Sequence, residues 1–395
     1  MSQSMSQSIE VVIPVHDPAR PLERGLVSIL GQRAELSALG VDLRTTVVCH
    51  NIAIADIKAG LSSEHATNDA VTWLGHADGI NSPAGPRNAA LDNSSATFLS
   101  FLDSDDYLEP GSLAAWWKAA VAQGAAAVIA PLRTPEGSIL RSPRIRPSKP
   151  AVLDAVKDGL AYRSVPYGLL RRSALLACGF RYAEGIEIGE DLEAALRLWF
   201  RGGRISYPYS SPAYHQTDAS GGTRVTSAIR PLAEEFLWLD ALVGTVWIHS
   251  APKQERRAIA LKLLRVHGIG ALVRRGSMSG PLAATVWSEA DGAAWKSAHQ
   301  QLLELAGGSL PALSRRDATL CRAAAKAQDQ QQLRDAVVLH KKSGRKEELL
   351  TDKFCSLVSG DSVVRHYMNE RLRSRSGVYD SPLPAPVAKE QRDTH

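Results

Sequence analysis

The apolar run Phe98-Leu99-Ser100-Phe101-Leu102 passes straight into Asp103-Ser104-Asp105-Asp106, and no other junction in the chain constrains its fold as much. Five residues of this kind read as a buried strand, and carboxylates at its carboxyl end lie where open α/β sheets place their ligands. Carboxylates one residue apart repel each other unless a hard cation such as Mg2+ or Mn2+ sits between them, and that cation can hold substrate phosphates. The same residues can also form a solvated acidic turn ahead of a helix, because Glu109-Pro110-Gly111-Ser112 is a good helix start.

Strand and helix signals alternate around this junction. Residues 9–15 are a β-branched run closed by His16-Asp17, and residues 22–32 carry Leu22, Leu26, Ile29 and Leu30 on one helical face. Strands follow at 43–49 and 71–74 around a weaker helix at 53–61; then Pro86 opens a helix, Ser112–Gln123 reads as another, and 125–131 as a further strand. Such alternation predicts an α/β, Rossmann-like, mostly parallel sheet flanked by helices, its strands facing one crevice. From about Pro231 the strand signals vanish, and Leu232, Phe236, Leu239 and Val243 share one helical face, so an all-helical C-terminal domain is expected over 231–375. The Ser/Gln-rich residues 1–8 and the Pro- and Ser-rich tail 376–395 are expected to be disordered.

A length of 395 residues suits two domains, and 44% hydrophobic with 22% charged residues is ordinary for a soluble globular chain. The formal net charge of +5 leaves room for an anionic partner, but no nucleic-acid-binding module accompanies it, so no nucleic acid is expected. Cys49, Cys178, Cys321 and Cys355 contain no CxxC pair, which implies neither a cysteine zinc site nor a disulfide framework and fits a reducing cytoplasm. Lys118 and Asp240 interrupt the most apolar stretches, and no transmembrane segment or leader is expected. Arg133, Arg141, Arg144, Arg146 and Lys149 lie among prolines and serines and read as a solvated loop rather than an anion site.

A second informative segment is Gly185-Ile186-Glu187-Ile188-Gly189-Glu190-Asp191, followed by Leu192, Ala195, Leu196 and Trp199 at helical spacing. Asp191 falls at the cap position of that helix. A carboxylate there can serve as a general base toward a hydroxyl, and an aspartate cap needs no such role.

Taken in order, Val11-Val12-Ile13-Pro14-Val15-His16-Asp17, Gly85-Pro86-Arg87-Asn88-Ala89-Ala90-Leu91, Phe101 to Leu108 with its aspartates, and Gly189-Glu190-Asp191 resemble a family 2 glycosyltransferase of the GT-A fold over residues 9–230. The resemblance implies a nucleotide-sugar donor, a hydroxyl acceptor (a glycan, a lipid-linked or a natural-product acceptor) and Mn2+ or Mg2+. Pro14, Val15, His16 and Asp17 would line the base and ribose, with Arg87 and Asn88 near the donor. Asp103 and Ser104 would contact the donor, Asp105 would be the principal metal ligand, and Asp191 would be the base of an inverting reaction. Glu190 would position the acceptor, His215 would complete the metal site, and Arg224, in the stretch 218–226, would reach the donor.

Two places depart from the family pattern. Where members carry paired aspartates after the second strand, this chain has Val47-Val48-Cys49-His50-Asn51, so Asn51 or His50 is left to read the base and the nucleotide stays open. Leu91 replaces the terminal glycine of the Arg-Asn-x-Gly pattern, where it could narrow the approach to the donor. Further on, residues 253–275, from Lys253 to Arg275, form a basic amphipathic segment that suits peripheral contact with an anionic membrane or packing on its own domain. The helical domain is also a candidate for self-association. The competing reading is an inactive sugar-nucleotide sensor or scaffold, against which Asp103, Asp105 and Asp191 stand together.

Overall fold

The computed structural model describes residues 7–217, 229–278, 286–310, 312–351, 356–357 and 360–382. The main sheet is built from β1 (Gln7–Val15), β2 (Val41–His50), β3 (Val71–His76), β4 (Phe98–Phe101), β6 (Ala127–Ile129), β8 (Gly168–Arg171) and β9 (Ile205–Ser206). A small second sheet pairs β5 (Tyr107–Leu108), β7 (Leu132–Arg133) and β10 (Tyr214–His215). The main sheet has the order β3-β2-β1-β4-β8-β6-β9, and β8 alone of its strands runs antiparallel to both neighbours.

Central β1 is apolar on both faces because both are covered. Ile9, Val11, Ile13 and Val15 enter one core with Leu22, Leu26 and Ile29, whereas Val12 enters the opposite core with Leu91, Phe101 and Trp199. Leu91 therefore fills the core beneath the sheet and does not narrow the donor approach, contrary to the expectation from the missing glycine. Val15 pairs with Cys49 and Val12 with Phe101, so β1, β2 and β4 end at one edge and deliver their following loops to one crevice.

Of the two ends expected to be disordered, residues 1–6 and 383–395 lie outside the described residues, and the described parts are held by contacts. β1 begins at Gln7, inside the stretch expected to be disordered, because Ser8 and Thr97 exchange backbone-to-side-chain hydrogen bonds. Residues 377–382 of the expected tail pack on the α/β part: Val378 is fully buried, the Tyr379 hydroxyl donates to the Pro143 carbonyl (2.6 Å), and the Arg133 guanidinium donates to the Pro382 carbonyl (2.7 Å). The basic loop that this tail covers is tied down as well. Arg133 pairs with buried Glu109, Arg146 makes a two-pronged contact with Asp158, and the Arg144 guanidinium lies over the Tyr162 ring.

Beyond Pro231 the described chain is helical, from Leu232–Glu235 to Val363–Ser376, with its own core centred on Trp238, Leu261, Leu264, Trp295 and Leu302. Leu192 and Leu196, from the α/β part, enter that core, and Trp247 donates to Glu193 (2.6 Å) while Arg201 pairs with Glu255 (2.8 Å). The helical part thus grips the helix Leu192–Arg201 that follows Asp191. Residues 253–275 are not a free amphipathic face: Ile259, Leu261, Leu263, Leu264 and Leu272 are buried in the helical core, and Lys262 and Arg275 are buried too. Arg274 and Arg275 both pair with Glu235, so these two cations of the segment are held by the protein's own carboxylate. Among the described residues no helix is long and apolar enough to cross a membrane.

Candidate active site

A cavity of about 610 Å3 opens where the ends of β1 and β4 meet the helix Ala84–Asn93 and the segment 185–191. Pro14, Val15 and His16 line it from β1, Asp103, Ser104, Asp105 and Asp106 from β4, and Arg87, Glu190 and Asp191 from the facing wall. Seven carboxylates (Asp103, Asp105, Asp106, Glu136, Glu187, Glu190, Asp191) and two guanidiniums (Arg20, Arg87) line this cavity.

Arg87 joins its two halves. The helix that carries it is built of small residues and buried nearly all round, so its guanidinium stays within reach of both sides. One prong donates to Asp103 (2.7 Å) and another to Glu190 (3.1 Å), and the group lies over the Tyr182 ring. Desolvation works against its charge, but Asp103 and Glu190 hold it firmly protonated. The second Asp103 oxygen accepts from the Tyr167 hydroxyl, and Asp105 pairs with Arg20 at 2.6 Å. Repulsion between the aspartates is thus partly relieved by the protein's own donors, which the spacing alone could not show. Asp106 takes a different part: it accepts from the Tyr214 hydroxyl (2.9 Å) and the Thr217 amide (2.8 Å), and burial and the charge of Asp103 push its carboxyl up to about 7.

Asp191 stands at the start of the helix Leu192–Arg201 as the spacing predicts, but its carboxyl makes no capping hydrogen bond. It lines the cavity instead. Burial, then the neighbouring Glu190 carboxylate, raises its pKa well above the usual carboxylate range, while Arg87 and Lys262 oppose the shift. Two features of the helical part fix this segment. Gly189 has φ +79°, and a Cβ there would meet Trp238 at 3.0 Å, so glycine is needed both for backbone and for space. Lys262, with its amine on the Ser164 hydroxyl (2.8 Å) and 2.9 Å from His267, is fully buried, and burial brings its pKa down to about 7.

Other expected site residues are placed elsewhere. Asp17 lies outside the cavity wall and its carboxylate accepts from the Ala19 amide (2.9 Å). Asn88 is turned away and pins the segment after it through Tyr182 and Glu184, since successive helix positions face different sides. Asn51 also lies off the wall: its carbonyl oxygen accepts from the Asp78 and Gly79 amides, and its amide donates to the Ile80 carbonyl. His50, not Asn51, faces the cavity at that corner. His215 does not line it either; strand alternation sends Tyr214 inward to Asp106 and leaves His215 stacked on Tyr107 at 4.5 Å. Arg224 lies outside the described residues. Sequence reasoning overlooked Arg20, Tyr167, Gln216, Thr217 and Lys262, which come from separate segments with no shared spacing to mark them.

No protein-family model matches the chain, and no curated protein matches it. Solved structures do. S. aureus TarS 1-349 in complex with UDP-GlcNAc matches with a TM-score of 0.65 at 15% identity, over 85% of this chain and 92% of that one. The same protein in complex with UDP matches with a TM-score of 0.62 at 14% identity, again over 85% and 92%. A longer S. aureus TarS structure gives a TM-score of 0.60 at 15% identity, over 84% of this chain and 55% of that one. At these identities the likeness shows a shared fold, the GT-A arrangement with a helical C-terminal part.

Proposed function

We propose that this chain is a metal-dependent, inverting glycosyltransferase of the family 2 type, moving a sugar from a nucleotide-sugar donor to an acceptor hydroxyl. The observation that carries it is the cavity itself: Asp191 and the Asp103–Asp105 pair line the same crevice, and Arg87 ties Asp103 to Glu190, the neighbour of Asp191. The shared fold with TarS, solved with UDP-GlcNAc and with UDP, supports a nucleotide-sugar donor.

Asp103 and Asp105 stand one residue apart in this cavity, and an anionic diphosphate beside them needs a cation between. Asp105 and Asp103, oxygen donors with 21% and 33% side-chain exposure, fit Mn2+ or Mg2+ and would hold it. When bound, the ion neutralises charge on the leaving diphosphate. Arg20 and Arg87 orient the two aspartates and add positive potential on the donor side. Pro14, Val15, His16 and His50 form the wall for base and ribose, and Ser104 the floor beside them.

Asp191 acts on the acceptor. Its carboxylate takes the hydroxyl proton while the oxygen attacks the anomeric carbon, and the bond from that carbon to the diphosphate oxygen breaks with its electron pair leaving on the nucleotide. Attack from the face opposite the nucleotide inverts the anomeric centre, with no covalent enzyme intermediate. After burial, the Glu190 carboxylate, itself held by Arg87, raises the pKa of Asp191 further and so moves upward the pH at which the base is ready.

Chelation is the first test. EDTA should abolish transfer, and added Mn2+ or Mg2+ should restore it; Asp105→Ala should weaken metal and donor binding together, read by calorimetric titration. Full transfer by metal-depleted enzyme would remove the cation from the account.

A further inference from the structure

We infer that His50, His76 and Asp78 form a second cation site, one that takes a transition-metal ion such as Zn2+ and is distinct in chemistry from the aspartate pair. Among the described residues they are the group of three whose ligand atoms all lie within 4.8 Å of one another. The inference rests on donor geometry and is independent of the proposed transfer reaction.

The fold brings these side chains together in three ways. His50 and His76 are the last residues of β2 and β3 and pair directly across the parallel ladder, so both imidazoles leave the sheet side by side. Asp78 turns back between them: one oxygen lies 2.8 Å from His50 Nε2 and the other 3.2 Å from His76 Nε2. Asn51, at φ +55°, accepts from the Asp78 and Gly79 amides and so fixes that turn. On the far side, a Cβ on Gly85 would stand 2.2 Å from Asp78 Oδ2 and 2.6 Å from His76 Nε2. Gly85 has no left-handed backbone to explain it, so its use here is the room it leaves for these two ligand atoms.

Two imidazoles and one carboxylate suit Zn2+, Co2+ or Ni2+, whereas oxygen-only sets suit Mg2+ and Mn2+. Ligand atoms around four-coordinate zinc stand about 3.3 Å apart, given bonds of about 2.0 Å, so only small side-chain rotations are needed. Side-chain exposures of 6% for His50, 21% for Asp78 and 28% for His76 close the site on one side and leave an open position on the other. Because His50 also lines the main cavity, that open position borders the wall assigned to the base. Binding would use the Nε2 lone pairs of both imidazoles, which must then carry their remaining ring proton on Nδ1.

The test uses the full chain stripped of metal and titrated with Zn2+ alone, and separately with Co2+ alone, whose visible absorption reports nitrogen and oxygen ligation. The inference expects about one Zn2+ per chain in the presence of excess Mg2+, and loss of affinity by about 100-fold or more in His76→Ala and in Asp78→Asn. His76→Gln, which keeps volume and a hydrogen-bonding group, should lose the ion too while its melting curve matches the parent. Asp105→Asn should leave Zn2+ binding intact. Equal Zn2+ affinity in the parent and in folded His76→Ala would overturn the inference, leaving a hydrogen-bonded cluster only, as would loss of the ion in Asp105→Asn but not in His76→Ala.

Discussion

Asp191→Asn should lower turnover by about 100- to 10,000-fold while nucleotide-sugar affinity stays nearly unchanged. Asparagine has the size of aspartate but cannot accept the acceptor's proton. The stability of the variant should hold, because the carboxyl makes no capping hydrogen bond whose loss would matter. A pH profile sharpens the result. With its pKa raised by burial and by Glu190, Asp191 is protonated, and so unable to act as a base, over the acidic and near-neutral range. The parent's rate should therefore climb with pH until the carboxyl ionises, and the residual rate of the variant should lack that rise. Initial rates, a donor titration and a melting curve on both proteins supply the comparison, and near-normal turnover in Asp191→Asn would take away the base.

Arg87→Met should damage both stability and donor binding. Arg87 is buried and serves Asp103 and Glu190 at once, so its removal leaves the largely buried Glu190 without its cation and Asp103 with the Tyr167 hydroxyl alone. Breaking a buried pair in this way costs about 3–5 kcal/mol, which in a chain of this size is a fall in Tm of about 4–6 °C. Arg87→Lys should recover only part of the loss, since an ammonium is a single point charge and cannot fork to both acids. A Tm within about 1 °C of the parent for Arg87→Met would show that the two carboxylates do not depend on it.

Much of the α/β part was legible because its physics is local. The β-branched run of β1, the apolar run of β4 and the spacing of Leu22, Leu26 and Ile29 each state which face is buried, and the sheet places them accordingly. The strand β8 was not legible: its four residues are too short to show a period, and its antiparallel place between β4 and β6 depends on contacts far away in the chain. At the site, Asp103, Asp105, Arg87 and Asp191 could be found from motif order, and the cavity brings all four together. What motif order could not give was direction. Asn88 and Asp17 sit one residue from wall residues and face elsewhere, and His215 is turned away by strand alternation. Composition also gave no sign that residues 377–382 pack on the α/β part, because that depends on one tyrosine and one valine, Tyr379 and Val378, finding partners far away in the chain.

The most direct measurement is nucleoside diphosphate release from a panel of nucleotide sugars, by the full chain and by Asp191→Asn, with Mn2+ present and an acceptor extract supplied. The account predicts release from one class of donor by the parent, dependent on acceptor and metal, and its near absence in Asp191→Asn although that variant still binds the same donor. Tight binding of a donor by both proteins, with no release by either under any acceptor, would contradict catalysis and leave a sugar-nucleotide-binding protein on the same fold.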